Sequence, residues 1–179
     1  MAQFDQIYTH MLNPVKGWPS PYALDFAASP ASGVTVVPGM CCSLDSSGNL
    51  ILGVVRHRMG LFAIQGNAEF DVAVGVVSFA GYQQVNPSGK INCLVATGGY
   101  ELETTEFDTA QTYAPNEPLR AHTDGKLTNQ SVVLFSQDNS PQTNATAVVG
   151  IVSRGKFTNS YGVSALAFWP VWAPGKSTE

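Results

Sequence analysis

The sequence predicts an all-β protein, a β-barrel or β-sandwich of jelly-roll-like type preceded by an irregular N-terminal arm. Three observations carry that expectation. Turn chemistry recurs at short intervals from Gly33 onward, at Pro38-Gly39, Ser47-Gly48-Asn49, Gly66-Asn67, Pro87-Ser88-Gly89, Gly98-Gly99, Asp124-Gly125, Gly155 and Gly162. The runs between these turns are short and rich in Val, Ile, Leu, Phe and Tyr, the composition of strands. No segment of ordinary helix length repeats its apolar residues every 3.6 positions inside this region, which argues against a βαβ fold.

Taken in order, the first 33 residues differ from the rest. Phe4, Ile7, Tyr8 and Met11 follow the i, i+3, i+4, i+7 spacing of one helical face. Pro14, Pro19 and Pro21 then prevent a long helix, and Trp18, Tyr22 and Phe26 extend the apolar surface. A helix this short is marginal alone in water, so its face needs a docking surface. That surface is either the chain's own β domain or a neighbouring subunit. These seven residues are the candidate partner-binding set. The expected strands follow at Val34–Val37, Leu50–Arg56, Leu61–Gln65, Phe70–Val77, Ile91–Ala96, Val132–Phe135, Val148–Arg154 and Val163–Trp169. Within Glu69–Val76, Phe70, Val72, Val74 and Val76 alternate onto one face. The expected organisation is an arm at 1–33, a β domain at 34–172 and a tail at 173–179.

An internal echo runs at an offset of 77, where Pro38, Gly48 and Leu50 recur as Pro115, Gly125 and Leu127. It describes a strand, a glycine turn and a returning strand used twice. Each copy precedes an apolar run ending in Arg, Gly53-Val54-Val55-Arg56 and Gly150-Ile151-Val152-Ser153-Arg154. The second copy carries a Ser-, Asn-, Gln- and Thr-rich insertion from Thr128 to Thr146.

Composition narrows the function classes. Hydrophobic residues make up 44% of the 179 positions, enough apolar surface to offset the entropy of ordering, so disorder is not expected. Charged residues supply only 12%, about half of the roughly 25% usual in soluble domains. A net charge of −4 argues against a duplex DNA binder, which needs a basic stripe to neutralise phosphates. The opening MAQFDQIYTH has neither a basic start nor an apolar run, so no secretory signal is expected. No apolar run is long enough to span a membrane. Cys41 and Cys42 are adjacent, so in a strand they point to opposite faces, and Cys93 stands alone. With no CxxC and no histidine pair, the three read as buried small hydrophobes in a reducing compartment rather than as zinc ligands or a disulfide framework.

The search for chemistry finds no catalytic set. His57 sits between Arg56 and Arg58 with no nucleophile motif beside it, and His122 reads as an exposed residue near a turn. The densest charge cluster is Glu101-Leu102-Glu103-Thr104-Thr105-Glu106-Phe107-Asp108. In a strand it divides its carboxylates between two faces, which favours a solvated or inter-subunit face balancing Arg56, Arg58 and Arg120 over a metal site. Asp45-Ser46-Ser47-Gly48-Asn49 reads as a hairpin turn rather than a calcium loop. Phe168, Trp169 and Trp172 around Pro170 suit packing or a protein contact, with carbohydrate stacking as the rival use. No dinucleotide fingerprint, P-loop or HExxH is present. Catalytic residues, cofactors and metals are therefore not expected.

At PGMCCSLDSSGNLILG, YAPNEPLRAHTDGKLT and VVGIVSRG the chain resembles the head decoration, or cement, proteins of tailed bacteriophages. The resemblance covers roughly residues 34–172. It implies a non-enzymatic virion component, often a homotrimer, made in the host cytoplasm and placed on the capsid exterior. Its implied partner is the major capsid protein, with no nucleic acid and no membrane involved. The aromatic-Pro stretch near the N-terminus departs from the compact members of that family. A carbohydrate-binding β module of a tail or receptor-binding protein is the alternative. A jelly-roll capsid subunit is a third reading, against which stands the lack of a basic arm.

Overall fold

A computed structural model of the chain describes residues 10–17, 26–54, 58–64, 66, 89–130 and 147–173. The expected strands at Phe70–Val77 and Val132–Phe135, the alternating segment Glu69–Val76, and Phe4, Ile7, Tyr8, Trp18, Tyr22, Arg56 and His57 lie outside the described residues. The described residues form strands and turns only, in two antiparallel sheets arranged as a sandwich. The strands are β1 Leu12–Lys16, β2 Phe26–Ala28, β3 Cys41–Leu44, β4 Leu50–Leu52, β5 Leu61–Ala63, β6 Ile91–Val95, β7 Glu101–Thr104, β8 Pro118–Ala121, β9 Leu127–Thr128, β10 Val148–Thr158 and β11 Ser164–Ala173. One sheet runs β1-β7-β11-β10-β8-β9 and the other β2-β6-β5-β3-β4.

Set side by side, these orders are the same five-strand unit used twice, with β1 added to the second. Unit one is β2 to β6 and unit two is β7 to β11. The correspondence holds rung by rung. Cys41 faces Phe62 and Phe62 faces Leu94 in unit one, as Pro118 faces Ile151 and Ile151 faces Trp169 in unit two. Phe26–Cys93, Ala27–Asn92 and Ala28–Ile91 likewise match Leu102–Phe168, Glu103–Ala167 and Thr104–Leu166. The far edge of each sheet is handled identically. Leu50 donates its N–H to Ser29 O (2.8 Å) and accepts from Ala31 N (2.9 Å). Leu127 donates to Glu106 O (3.0 Å) and accepts from Asp108 N (2.8 Å). Each last strand is thus bonded to the segment that follows its unit's first strand, so neither far edge is left as an open template for aggregation.

The hairpins that produce the sequence echo have the same turn. Gly48 and Gly125 take left-handed φ values of 82° and 81° and donate to Asp45 O and His122 O, a turn closed by a residue that only glycine fills cheaply. The second half of the echo does not hold. Gly53 turns the chain after β4 with φ 78° and its N–H bonded to Cys41 O, which ends that strand before Arg56. Gly150 instead lies within β10 opposite Leu119, in the place that Leu61 holds in unit one. Two other expectations are corrected. Val34–Val37 forms no strand, because turns at Ala31–Val34 and Val37–Met40 take its backbone hydrogen bonds, although Val36 and Val37 are buried. Gly155 is no turn but lies inside β10, where a Cβ would come within 2.7 Å of Tyr113 O.

Two apolar clusters hold the fold. The smaller fills unit one with Ala28, Val36, Cys42, Leu50, Leu61, Ala63, Ile91 and Cys93. The larger fills unit two and continues onto the reverse side of unit one's sheet through Cys41, Phe62 and Leu94. Phe62 and Phe168 meet across that boundary with ring centroids 5.1 Å apart. A Cβ on Gly60 would lie 2.9 Å from Val149, so the two units approach closely there.

Candidate interaction surface

Strand alternation decides what each unit shows to its surroundings. In β8, β10 and β11 the inward residues are Leu119, Val152 and Phe168, all fully buried. Their neighbours Pro118, Ile151 and Trp169 form one cross-strand row on the opposite face, with Pro118 exposed, Ile151 half-buried and Trp169 41% exposed. The matching row of unit one, Cys41–Phe62–Leu94, is covered by unit two and almost fully buried. Among the described residues, Trp172, Met59 and Tyr161 are the other exposed large apolar side chains. Trp172 donates its indole N–H to Arg58 O (2.8 Å).

Beside Trp169 the same sheet face carries carboxylates. Glu101 and Trp169 each follow the last pair of the β7–β11 ladder, Leu102–Phe168. Glu101 accepts a 2.6 Å hydrogen bond from Ser153 Oγ and lies 4.0 Å from Lys16 Nζ. Glu103 accepts from Asn13 Nδ2, and Glu106 lies 2.6 Å from His10 Nδ1. The expected solvated face is therefore corrected: Glu101, Glu103 and Glu106 are buried. The reason is β1, which pairs along β7 and lays His10, Asn13 and Lys16 beside these carboxylates. Among the described residues the ion pairs of this segment are to His10 and Lys16, not to Arg58 or Arg120. No group of three or more His, Cys, Asp and Glu side chains among the described residues is placed to hold a metal ion.

The described members of the candidate partner-binding set are Met11 and Phe26. Met11 is buried in the chain's own fold, its N–H bonded to Thr105 Oγ1 and its sulfur accepting from Asn159 Nδ2. Phe26 is half-buried in β2 and packs against unit one's cluster. For these two residues the chain's own sheets supply the docking surface. Asp45-Ser46-Ser47-Gly48-Asn49 forms the β3–β4 turn, with Asp45 Oδ1 accepting from Ser47 N and Asn49 N. Those hydrogen bonds hold the Asp45 carboxyl below its usual range. His122 belongs to the matching turn, 3.2 Å from Asp124 Oδ1. Cys41 and Cys42 point into different clusters, as alternation requires, and burial raises all three thiols, Cys93 to about 12.

Sequence reasoning singled out Trp169 but missed Pro118 and Ile151. The signal was present in the alternation through Gly150-Ile151-Val152, where Ile151 must face away from its buried neighbour. Reading it required the partner strands, which sequence spacing does not supply. Comparisons with protein-family models, with characterised proteins and with solved structures find no match to this chain.

Proposed function

We propose that this chain is a non-enzymatic virion structural protein that decorates a capsid and strengthens it by binding the lattice of the major capsid protein. It acts as a homotrimer on the capsid exterior after synthesis in the host cytoplasm. The observation that carries this reading is the surface. The two units share a closed core, yet Met59, Tyr161, Trp169 and Trp172 remain 36–51% exposed on a chain with only 12% charged residues. Large aromatic and thioether side chains outside the core are the residue types that anchor protein interfaces. A rigid β unit that presents them suits adhesion, and several copies gripping several lattice positions gain from avidity. The test is cosedimentation of the purified chain with heads of the virus that encodes it, stripped of this chain. Saturable binding with slower heat-induced rupture of the heads is expected. Absence of binding at tens of micromolar overturns the reading.

The second reading, a carbohydrate-binding module, is favoured by one observation: Trp169 is 41% exposed on its sheet face. An exposed aromatic plate is the chemistry of sugar stacking. Tight binding on a glycan array that Trp169→Ala abolishes, without capsid binding, would replace the first reading with this one.

A further inference from the structure

We infer that β1 is a strap that opens and closes on β7 separately from the two-unit core, and that the buried carboxylates of Glu101, Glu103 and Glu106 set how often it opens. The inference goes beyond the proposed function and does not depend on capsid binding. β1 lies outside the duplication: unit two keeps the five-strand order of unit one, and β1 is added at its edge, paired with β7 alone. Its attachment is thin. Of its five residues only Leu12 joins the larger cluster, and Asn13 to Lys16 alternate between half-buried and exposed. Met11, just before the strand, is also buried. The ladder is interrupted by a register shift between Pro14 and Lys16, and Pro14 has no N–H to give. By contrast, β10 and β11 each pair on both sides and place Val149, Val152, Leu166 and Phe168 in the cluster.

The chemistry beside the strap works against its closure. Glu101, Glu103 and Glu106 are 5%, 9% and 3% exposed. His10 Nδ1 lies 2.6 Å from Glu106 Oε1, Asn13 Nδ2 donates to Glu103 Oε1 at 3.3 Å, and Lys16 Nζ lies 4.0 Å from Glu101 Oε2. From outside the strap, Ser153 Oγ donates to Glu101 and Thr105 Oγ1 to Glu106. The Lys16 side chain is 82% exposed, so water screens its charge, and the Asn13 amide is neutral. Three carboxylates therefore leave water for partners that bring little positive charge, and Glu101 and Glu103 share one face of β7. Opening returns them to water and leaves every pairing within the two units intact. Closed, the strap keeps Met11 inside the chain's own fold; open, it frees Met11 and the β7 edge together.

The test is amide deuterium exchange of the full chain, read by mass spectrometry, with residues 10–17 compared against 149–152 and 166–168. The β1 amides are expected to exchange about a hundredfold faster than the other two stretches, at a rate that dilute urea barely changes, which is the signature of local opening. Asn13→Asp turns the donor facing Glu103 into a further carboxylate of the same size, and is expected to speed β1 exchange about tenfold. Glu103→Gln removes one buried charge and keeps an acceptor for Asn13, and is expected to slow it about fivefold. The double variant exchanges the places of amide and carboxylate. It is expected to return β1 to within about twofold of wild type, a rescue that mere loss of packing would not produce. In all three variants residues 149–152 and 166–168 keep wild-type rates. Exchange of β1 in step with those residues overturns the inference. So does a Glu103→Gln variant no slower than wild type, or a double variant as open as Asn13→Asp alone.

Discussion

The two units share strand order, ladder register, turn geometry and edge treatment, yet they fill their interiors differently. Where unit one has Leu61 and Cys93, unit two has Gly150 and Phe168. A Cβ on Gly150 would lie 2.8 Å from Phe168 Cδ2, so the large ring occupies the space that a leucine fills in the other unit. Cys42 and Ala63 stand where unit two has the larger Leu119 and Val152, while Leu50 and Leu127 are unchanged. The lesson is that a β unit conserves backbone pairing more strictly than residue identity: Gly150 and Phe168 trade volume between neighbouring positions, whereas Leu119 and Val152 are both larger than Cys42 and Ala63. The units also differ in their outward faces. Unit one's row Cys41–Phe62–Leu94 is interior to the molecule, whereas Pro118 and Trp169 of unit two's row are exposed and its β7 carboxylates Glu101 and Glu103 are buried beside β1.

The sharpest way to break the comparison is to ask whether the units open separately. All three cysteines belong to unit one, fully or nearly buried with thiols raised by desolvation. Because the larger cluster contains residues of both units, thiol labelling in native buffer at pH 8 is expected only through global unfolding. Protection then equals the full stability, of order 5–15 kcal/mol for a domain. Labelling that outruns loss of the Trp fluorescence signal would show unit one opening alone and would end the picture of one shared core.

A middle-sized effect comes from exchanging the interior pairs. Phe168→Cys removes a fully buried ring and is expected to cost about 3–5 kcal/mol in urea unfolding. Gly150→Leu alone overpacks against Phe168 and is expected to cost about 1–3 kcal/mol. Together they install unit one's solution in unit two. The double variant is expected to lose less than the sum, with a coupling of at least about 1 kcal/mol. Strict additivity would mean that the two sites are not filled as equivalents.

The smallest effect is in the matched turns. Asp45 Oδ1 accepts two backbone N–H bonds, whereas Asp124 Oδ1 accepts one, from Lys126, together with the His122 contact. The Asp45 carboxyl is depressed in the folded state, so its contribution is present above the unfolded pKa of about 3.9 and is lost as pH falls through the folded value. Asp45→Ala is expected to lower Tm slightly at pH 7 and more than Asp124→Ala does. It should also flatten the acid-side decline of Tm below pH 4. Equal shifts for both variants across that range would remove the distinction between the turns.

What the chain's residues determined by themselves is the β class and the places where it turns. Gly48 and Gly125 need left-handed backbone, Asp45 bonds its own turn, and adjacent cysteines must face opposite sides; each is a local constraint carried by neighbouring residues. The echo at Pro38–Leu50 and Pro115–Leu127 was legible for the same reason, since it lies within one hairpin per copy. Tertiary structure decided the rest. The duplication extends to β5, β6, β10 and β11 only through pairings between distant strands, and the interior swap of Leu61 and Cys93 for Gly150 and Phe168 erased it from the sequence. The buried state of Glu101, Glu103 and Glu106 followed from β1 settling beside β7, a contact some ninety residues long in the chain. The same holds for the outward row. Pro118, Ile151 and Trp169 have nothing in common along the chain, and they become one surface because hydrogen-bond register, a property of strand pairs, places them on a single rung.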